Sequence, residues 1–159
     1  MPQNFTENPS ALIEATFNQI HAEQMVGLPF INERLRVSAV GFTLFEGDWL
    51  GVLLTPWALN LMLLPGPDRH WQAFTVGEKI GLKLPSNDYT FIVGEHQALG
   101  QYLACSVRSP VKDIPGQKAG LQLAGDLSRL MTALPAVNVT EVDESRRRLL
   151  GGMMKQSAL

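Results

Sequence analysis

The sequence predicts an α+β fold: a mostly antiparallel sheet of about six strands, flanked by an N-terminal and a C-terminal helix. Three observations lead there. Short runs rich in Val, Ile, Leu and Phe recur between residues 36 and 107, each closed by a turn of Gly, Pro, Asn or Asp. The stretches between most of these runs are too short for parallel crossovers, which makes neighbouring strands antiparallel. On each side of this block, one segment repeats its apolar residues at three and four positions, the spacing of a helix with one buried face.

The first helix is expected from Asn8-Pro9 to about Val26, with Asn8 capping and Pro9 in the first turn, where its missing N–H costs nothing. Leu12, Ile13, Phe17 and Ile20 share a face, Glu14, Gln19 and Glu23 point away, and Gly27 stands just past the end. Residues 28–35, with Pro29 and Asn32, read as a turn or short 3₁₀ piece before a strand that begins near Arg36. In that strand Val40, Phe42 and Leu44 face one way, and Val37, Ala39 and Phe45 the other.

Residues 42–67 are the densest apolar and aromatic run of the chain. Gly47-Asp48 is expected as the tight turn of a hairpin whose second strand is 49–54. Thr55-Pro56 interrupts the ladder, 57–64 resumes it, and Pro65-Gly66-Pro67 stops it. Both parities of these strands are apolar, so the sheet is covered on two faces at its middle. Residues 68–74 form a loop. A strand with Ile80, Leu82 and Leu84 on one side ends at Pro85, and strands at 89–93 and 99–107 follow across a 94–98 turn. In the last strand Leu99, Leu103, Cys105 and Val107 share a face, and Tyr102, Ser106 and Arg108 look outward. Pro110 and Pro115-Gly116 turn the chain into a second helix carrying Leu123, Ala124, Leu127, Leu130, Met131 and Leu134, ended by Pro135. The expected organisation is one domain over 1–144 and a flexible basic tail over 145–159, marked by Arg146, Arg147 and Arg148.

Composition narrows the chemistry. A net charge of −2 with scattered Lys and Arg offers no field for a phosphate backbone, so nucleic acid is excluded as a partner. The N-terminal residues lack the basic and apolar regions of a signal peptide, and no run is long enough to insert in a membrane. A single cysteine, Cys105, allows no intramolecular disulfide and fits a reducing cytoplasm. Its strand neighbours Leu103 and Val107 make it a small buried hydrophobe rather than a nucleophile. His21, His70 and His96 stand in unrelated segments without carboxylate or cysteine at ligand spacing, so no metal is expected. Gly77-Glu78-Lys79-Ile80-Gly81 lacks the spacing of a phosphate-binding loop, and no other cofactor is indicated. A second reading, a small-molecule enzyme or cofactor carrier, needs a pocket lined by Trp57, Tyr102 and Cys105.

Several pieces in order carry a resemblance: Phe42-Thr43-Leu44-Phe45-Glu46-Gly47, Thr55-Pro56-Trp57, Pro65-Gly66-Pro67-Asp68, Glu78-Lys79-Ile80-Gly81-Leu82, Val93-Gly94-Glu95, Gln101-Tyr102-Leu103 and Ser109-Pro110. Their order and spacing resemble the HybE/HupJ family of [NiFe]-hydrogenase assembly chaperones, strongly over 37–110. The resemblance implies a cytoplasmic accessory protein, not an enzyme, that holds the iron–sulfur small-subunit precursor before the large subunit docks and the pair is exported. Other hydrogenase accessory proteins are implied as further partners. Some relatives are fused to a rubredoxin domain, whose cysteine pairs this chain lacks. A holder of a twin-arginine signal needs an apolar surface and carboxylates for the arginines. The expected partner contacts are therefore Trp57, Pro65, Gly66, Pro67, Trp71 and Tyr102, with Asp48, Asp68, Glu78 and Glu95 as the carboxylates.

Overall fold

A computed structural model describes the chain at residues 4–85 and 87–132. The elements are α1 (Ser10–Ile20), a π-helical turn (His21–Met25), β1 (Ser38–Phe45), β2 (Asp48–Leu54), β3 (Leu59–Leu64), β4 (Lys79–Lys83), β5 (Asp88–His96), β6 (Gly100–Arg108) and α2 (Gln117–Thr132). All strand pairs are antiparallel, in the order β1-β2-β3-β6-β5-β4. The α+β class, the six strands and the flanking helices agree with the sequence reading. Two meanders, β1-β2-β3 and β4-β5-β6, meet at a β3/β6 seam. Leu134, Pro135, the boundary at 144 and the 145–159 tail lie outside the described residues.

The first hairpin turns one residue earlier than expected. Phe45 pairs with Asp48, and the two residues between them, Glu46 and Gly47, both have positive φ, 54° and 88°. Such a turn matches the right-handed twist of the strands it joins. The shift moves Asp48 out of the turn and makes it the first residue of β2, wholly buried. The β2–β3 turn is residues 55–58, closed by Thr55 N–H to Ala58 O at 2.9 Å and by Ala58 N–H to Thr55 Oγ1 at 3.0 Å. Trp57 thus belongs to a turn, and β3 starts at Leu59.

A bulge breaks the alternation expected in β1. Val40 pairs with Val52 but Thr43 with Leu50, so β1 carries one extra residue, and Gly41 takes φ 70° there. An extra residue sends everything beyond it to the opposite face. Phe42 therefore packs with Val37, Leu53, Met62 and Leu64, while Val40 and Phe45 pack with Leu50, Val52, Leu54 and Leu61. Leu44 is left exposed.

Helix α1 covers the first of these faces through Ile13 and Phe17, and α2 covers the second through Ala124 and Met131. Leu12 is exposed, at the margin of the buried face. The helix begins at Ser10, whose N–H donates to Asn8 Oδ1 at 3.0 Å. Glu14 does not point away: its Oε2 accepts the Ala39 N–H of β1 at 2.9 Å. Both helices sit over the β1-β2 half, α1 against β1 and α2 against β1 and β2. Over the β4-β5-β6 half, the α2-side face is closed by the residues linking β3 to β4. Trp71 and Phe74 pack there with Phe91, Val93 and Leu103, and the Gln101 side chain exchanges two hydrogen bonds with Phe74, 2.8 and 2.7 Å. The α1-side face of the same half leaves Lys79, Lys83, Thr90 and Ile92 exposed.

Gly41 combines a left-handed backbone with close approach of α2, since a Cβ there would lie 2.0 Å from Ser128 Oγ. Gly41→Val is expected to lower unfolding free energy by about 2–4 kcal/mol in urea titration. An unchanged midpoint would mean that the bulge adapts freely.

Candidate functional site

The register distributes the candidate residues between the two ends of the sheet. The 46–47 turn, the chain leaving β3, the start of β4 and the end of β5 lie at one end. The 55–58 turn, the start of β1 and the end of β6 lie at the other. Trp57 is therefore remote from Pro65, Gly66, Pro67, Asp68 and Trp71, with which the sequence groups it as a partner contact.

At the 46–47 end a single carboxylate organises the chain. Asp48 Oδ1 accepts the Gly66 N–H at 3.2 Å and the Trp71 Nε1–H at 3.3 Å, and Arg69 Nε lies 3.4 Å away. Oδ2 accepts no hydrogen bond among the described residues. Burial pushes the Asp48 pKa up to about 6, while the Arg69 charge, the Gly66 amide and the Trp71 indole hold it back. The sequence reading offered Asp48 as a carboxylate for a client arginine. Its oxygens instead face inward, because the turn closes one residue early and places it on the core side of β2.

The residues that Asp48 holds are equally internal. Pro65 and Gly66 are buried, and a Cβ on Gly66 would lie 1.7 Å from Gly47 O, so only glycine lets this segment cross the hairpin turn. Phe5 N–H donates to Pro65 O at 3.1 Å, Asn4 Nδ2 to Gly66 O at 3.1 Å, and Trp49 Nε1–H to Phe5 O at 2.9 Å. Trp71 is 6% exposed and stands edge-on to Phe74, so it is a core aromatic rather than a surface anchor. What this corner presents to solvent is Asp68 and His70, with Pro67 and Arg69 half-buried beside them.

Glu78 and Glu95 are exposed at the same end of the sheet. Glu78 Oε1 accepts the Thr75 N–H at 3.3 Å. Val76 lies between these groups in the chain and is 56% exposed; a lone valine before Gly77 carries no periodic signal in the sequence. At the opposite end Arg34, Arg36, Lys83 and Lys112 are exposed together with Glu33 and Asp88, and Arg108 is paired to Asp113. Val26, Leu28 and Phe30 are also exposed on the loop that leads into β1 at that end.

Trp57, Tyr102 and Cys105 do not line one pocket. Tyr102 packs on the α1 side, edge-on to Phe17 with ring centroids 6.2 Å apart, and burial raises its pKa. Trp57 lies against His21 on that same side, with ring centroids 5.9 Å apart. Cys105 points to the α2 side with Leu61 and Leu103. Successive side chains of a strand alternate between faces, so Tyr102 and Cys105 are divided by β6 itself. Among the described residues, no three of His, Cys, Asp and Glu converge to hold a metal ion.

Asp48 titrates higher in the folded chain, about 6, than in the unfolded chain, near 3.9. Its contribution is therefore fully present below about pH 4 and is lost as pH rises through 6, a change of roughly 3 kcal/mol. Asp48→Asn keeps an acceptor for Gly66 and Trp71 but cannot ionise. Its stability relative to the parent should rise by that amount between pH 4 and pH 7 in urea titrations. Parallel curves would show a carboxyl of ordinary pKa. Burial also raises the pKa of the Cys105 thiol, so native-state labelling near neutral pH should be slower than in urea. Equal rates would make it an exposed thiol.

Comparison with known proteins agrees with this architecture. The family described as [NiFe]-hydrogenase assembly, chaperone, HybE matches residues 8–152. The hydrogenase-2 operon protein HybE of Escherichia coli (strain K12) is 40% identical over 148 residues, covering 93% of this chain and 91% of that protein. The hydrogenase expression/formation protein HoxT of Azotobacter vinelandii is 40% identical over 124 residues, 77% of this chain and 79% of that one. The probable rubredoxin HupJ of Rhodobacter capsulatus is 32% identical, the match taking in 91% of this chain but 51% of its own length. The solution structure of HybE from Escherichia coli superposes with a TM-score of 0.70, covering 83% of this chain and 82% of that one at 40% identity. The chain belongs to the HybE family of [NiFe]-hydrogenase assembly chaperones.

Proposed function

We propose that this protein binds the iron–sulfur small-subunit precursor of a [NiFe]-hydrogenase in the cytoplasm and holds it until the large subunit docks, without catalysing a reaction. Family membership supports the hydrogenase setting. The observation that carries the surface assignment is the division of charge between the two ends of the sheet. Asp68, Glu78 and Glu95 outnumber the exposed Lys79 at one end, and Arg34, Arg36, Lys83 and Lys112 outnumber the exposed Glu33 and Asp88 at the other. A signal with paired arginines is attracted to the first end and repelled from the second.

Strands β3 and β5 are separated by β6 alone, a width of about 10 Å, so two arginines in an extended segment span from Asp68, in the chain that leaves β3, to Glu95 at the end of β5. Val76 and Pro67 supply apolar contact beside them. In this reading Asp48, Pro65, Gly66 and Trp71 are positioning residues that fix where Asp68 stands. Trp57 and Tyr102 lie away from the contact.

Asp68→Lys together with Glu78→Lys should abolish co-purification of a small-subunit precursor that carries its twin-arginine signal. The thermal midpoint should move little, because both carboxylates are exposed. Retained capture would remove this end of the sheet from the site, and capture of a precursor lacking its signal would move recognition to the mature part.

A further inference from the structure

The two edges of the sheet are finished differently. Along β1 and the residue pair before it, side chains occupy the outward backbone groups: Glu14 accepts from Ala39 N–H, Asn8 Nδ2 donates to Phe42 O at 3.0 Å, and Gln117 Oε1 accepts from Arg36 N–H at 2.7 Å. The bulge at Gly41 distorts the same edge. A further strand has no straight ladder to join there.

At β4 the edge is straight and unoccupied by any described element. Leu84 and Asn87 exchange backbone hydrogen bonds of 2.9 and 3.3 Å, and Val93 N–H donates to Glu78 O at 2.9 Å. Counting along the register from those pairs, Ile80 and Leu82 turn their N–H and C=O groups toward β5. Lys79, Gly81 and Lys83 turn theirs outward. Gly81 is exposed, and a Cβ there would meet nothing within 4 Å.

We propose that the free edge of β4 is a docking site for one extended segment of a partner protein that alternates carboxylate and apolar side chains. Backbone groups of Lys79, Gly81 and Lys83 supply the ladder. The side chains of Lys79 and Lys83 stand on the face that no described helix covers, so the residues of the added strand opposite them are matched by carboxylates, and the one between lies over Gly81. The alternate residues lie beside Ile80 and Leu82 on the opposite face and are matched by apolar groups. A second copy does not fit: antiparallel pairing of two β4 strands about Gly81 sets each Lys79 opposite a Lys83.

The test needs no hydrogenase subunit, so its outcome is separate from that of the precursor reading. A short synthetic peptide alternating glutamate and valine is titrated into the full chain, with amide exchange followed residue by residue. The Lys79, Gly81 and Lys83 amides should gain protection, and a lysine–valine peptide should give none. Gly81→Pro deletes an outward donor without touching a β4–β5 bond, and should weaken binding about tenfold or more. Lys79→Glu with Lys83→Glu should reverse the preference between the two peptides. Protection at other amides only, equal binding by Gly81→Pro, or a dimer in sedimentation that Gly81→Pro dissolves would each overturn the proposal.

Discussion

A carboxylate withdrawn from water at the start of β2 holds one end of this protein together. Asp48 faces three groups from one linker, the Gly66 amide, the Arg69 guanidinium and the Trp71 indole, and each of them needs an acceptor. The carboxylate is an expensive choice, because desolvation outweighs the combined attraction of its partners and lifts its pKa. Replacing it with an apolar residue would strand a buried indole N–H and a backbone N–H instead. The linker's course across the core, with Trp71 and Phe74 laid on β5 and β6, follows from this anchorage and from the Gln101 clamp further along.

The linker shares with two helices the task of covering the sheet among the described residues. Helices α1 and α2 press on opposite faces of the β1-β2 half, and Gly120 lets α2 approach Leu54 and Leu35 closely. Among the described residues, the far half receives cover on one face only, from irregular chain rather than a helix. Its other face carries Lys79, Gly81, Lys83, Thr90 and Ser106, which suit a surface in contact with water, with Ile92 exposed among them. The amphipathic character of β4 and β5 thus matches the cover that the described residues supply.

Much of this was legible in the chain. Apolar runs bounded by Gly and Pro located all six strands to within a few residues, and three-and-four spacing located both helices. Errors arose where one residue changes parity. Gly47-Asp48 and Glu46-Gly47 are both plausible turn pairs in sequence, yet only the second buries Asp48. Gly41 is the one sign of the bulge in the sequence, and strict alternation places Phe42 and Val40 on the same face. The candidate site suffered from the same cause. Apolar richness between Trp57 and Trp71 reflects core burial, and these two residues are separated by the length of β3. The carboxylates Asp68, Glu78 and Glu95 share an end of the sheet because of strand order, which no local pattern encodes.

The seam between the two meanders has a consequence for biosynthesis. Strand β3 is apolar on both faces and pairs with β2 as soon as the first meander emerges from the ribosome, but its other edge waits for β6. At ~5–20 residues per second that interval lasts seconds, far longer than the microseconds in which a hairpin forms. During it, Leu59–Leu64 is an open, hydrophobic edge attached to a folded hairpin. An assembly chaperone of this fold therefore passes through its own period of exposed strand edge, and the turn residues Thr55 and Ala58, which lock β3 to β2 early, limit that exposure to one side.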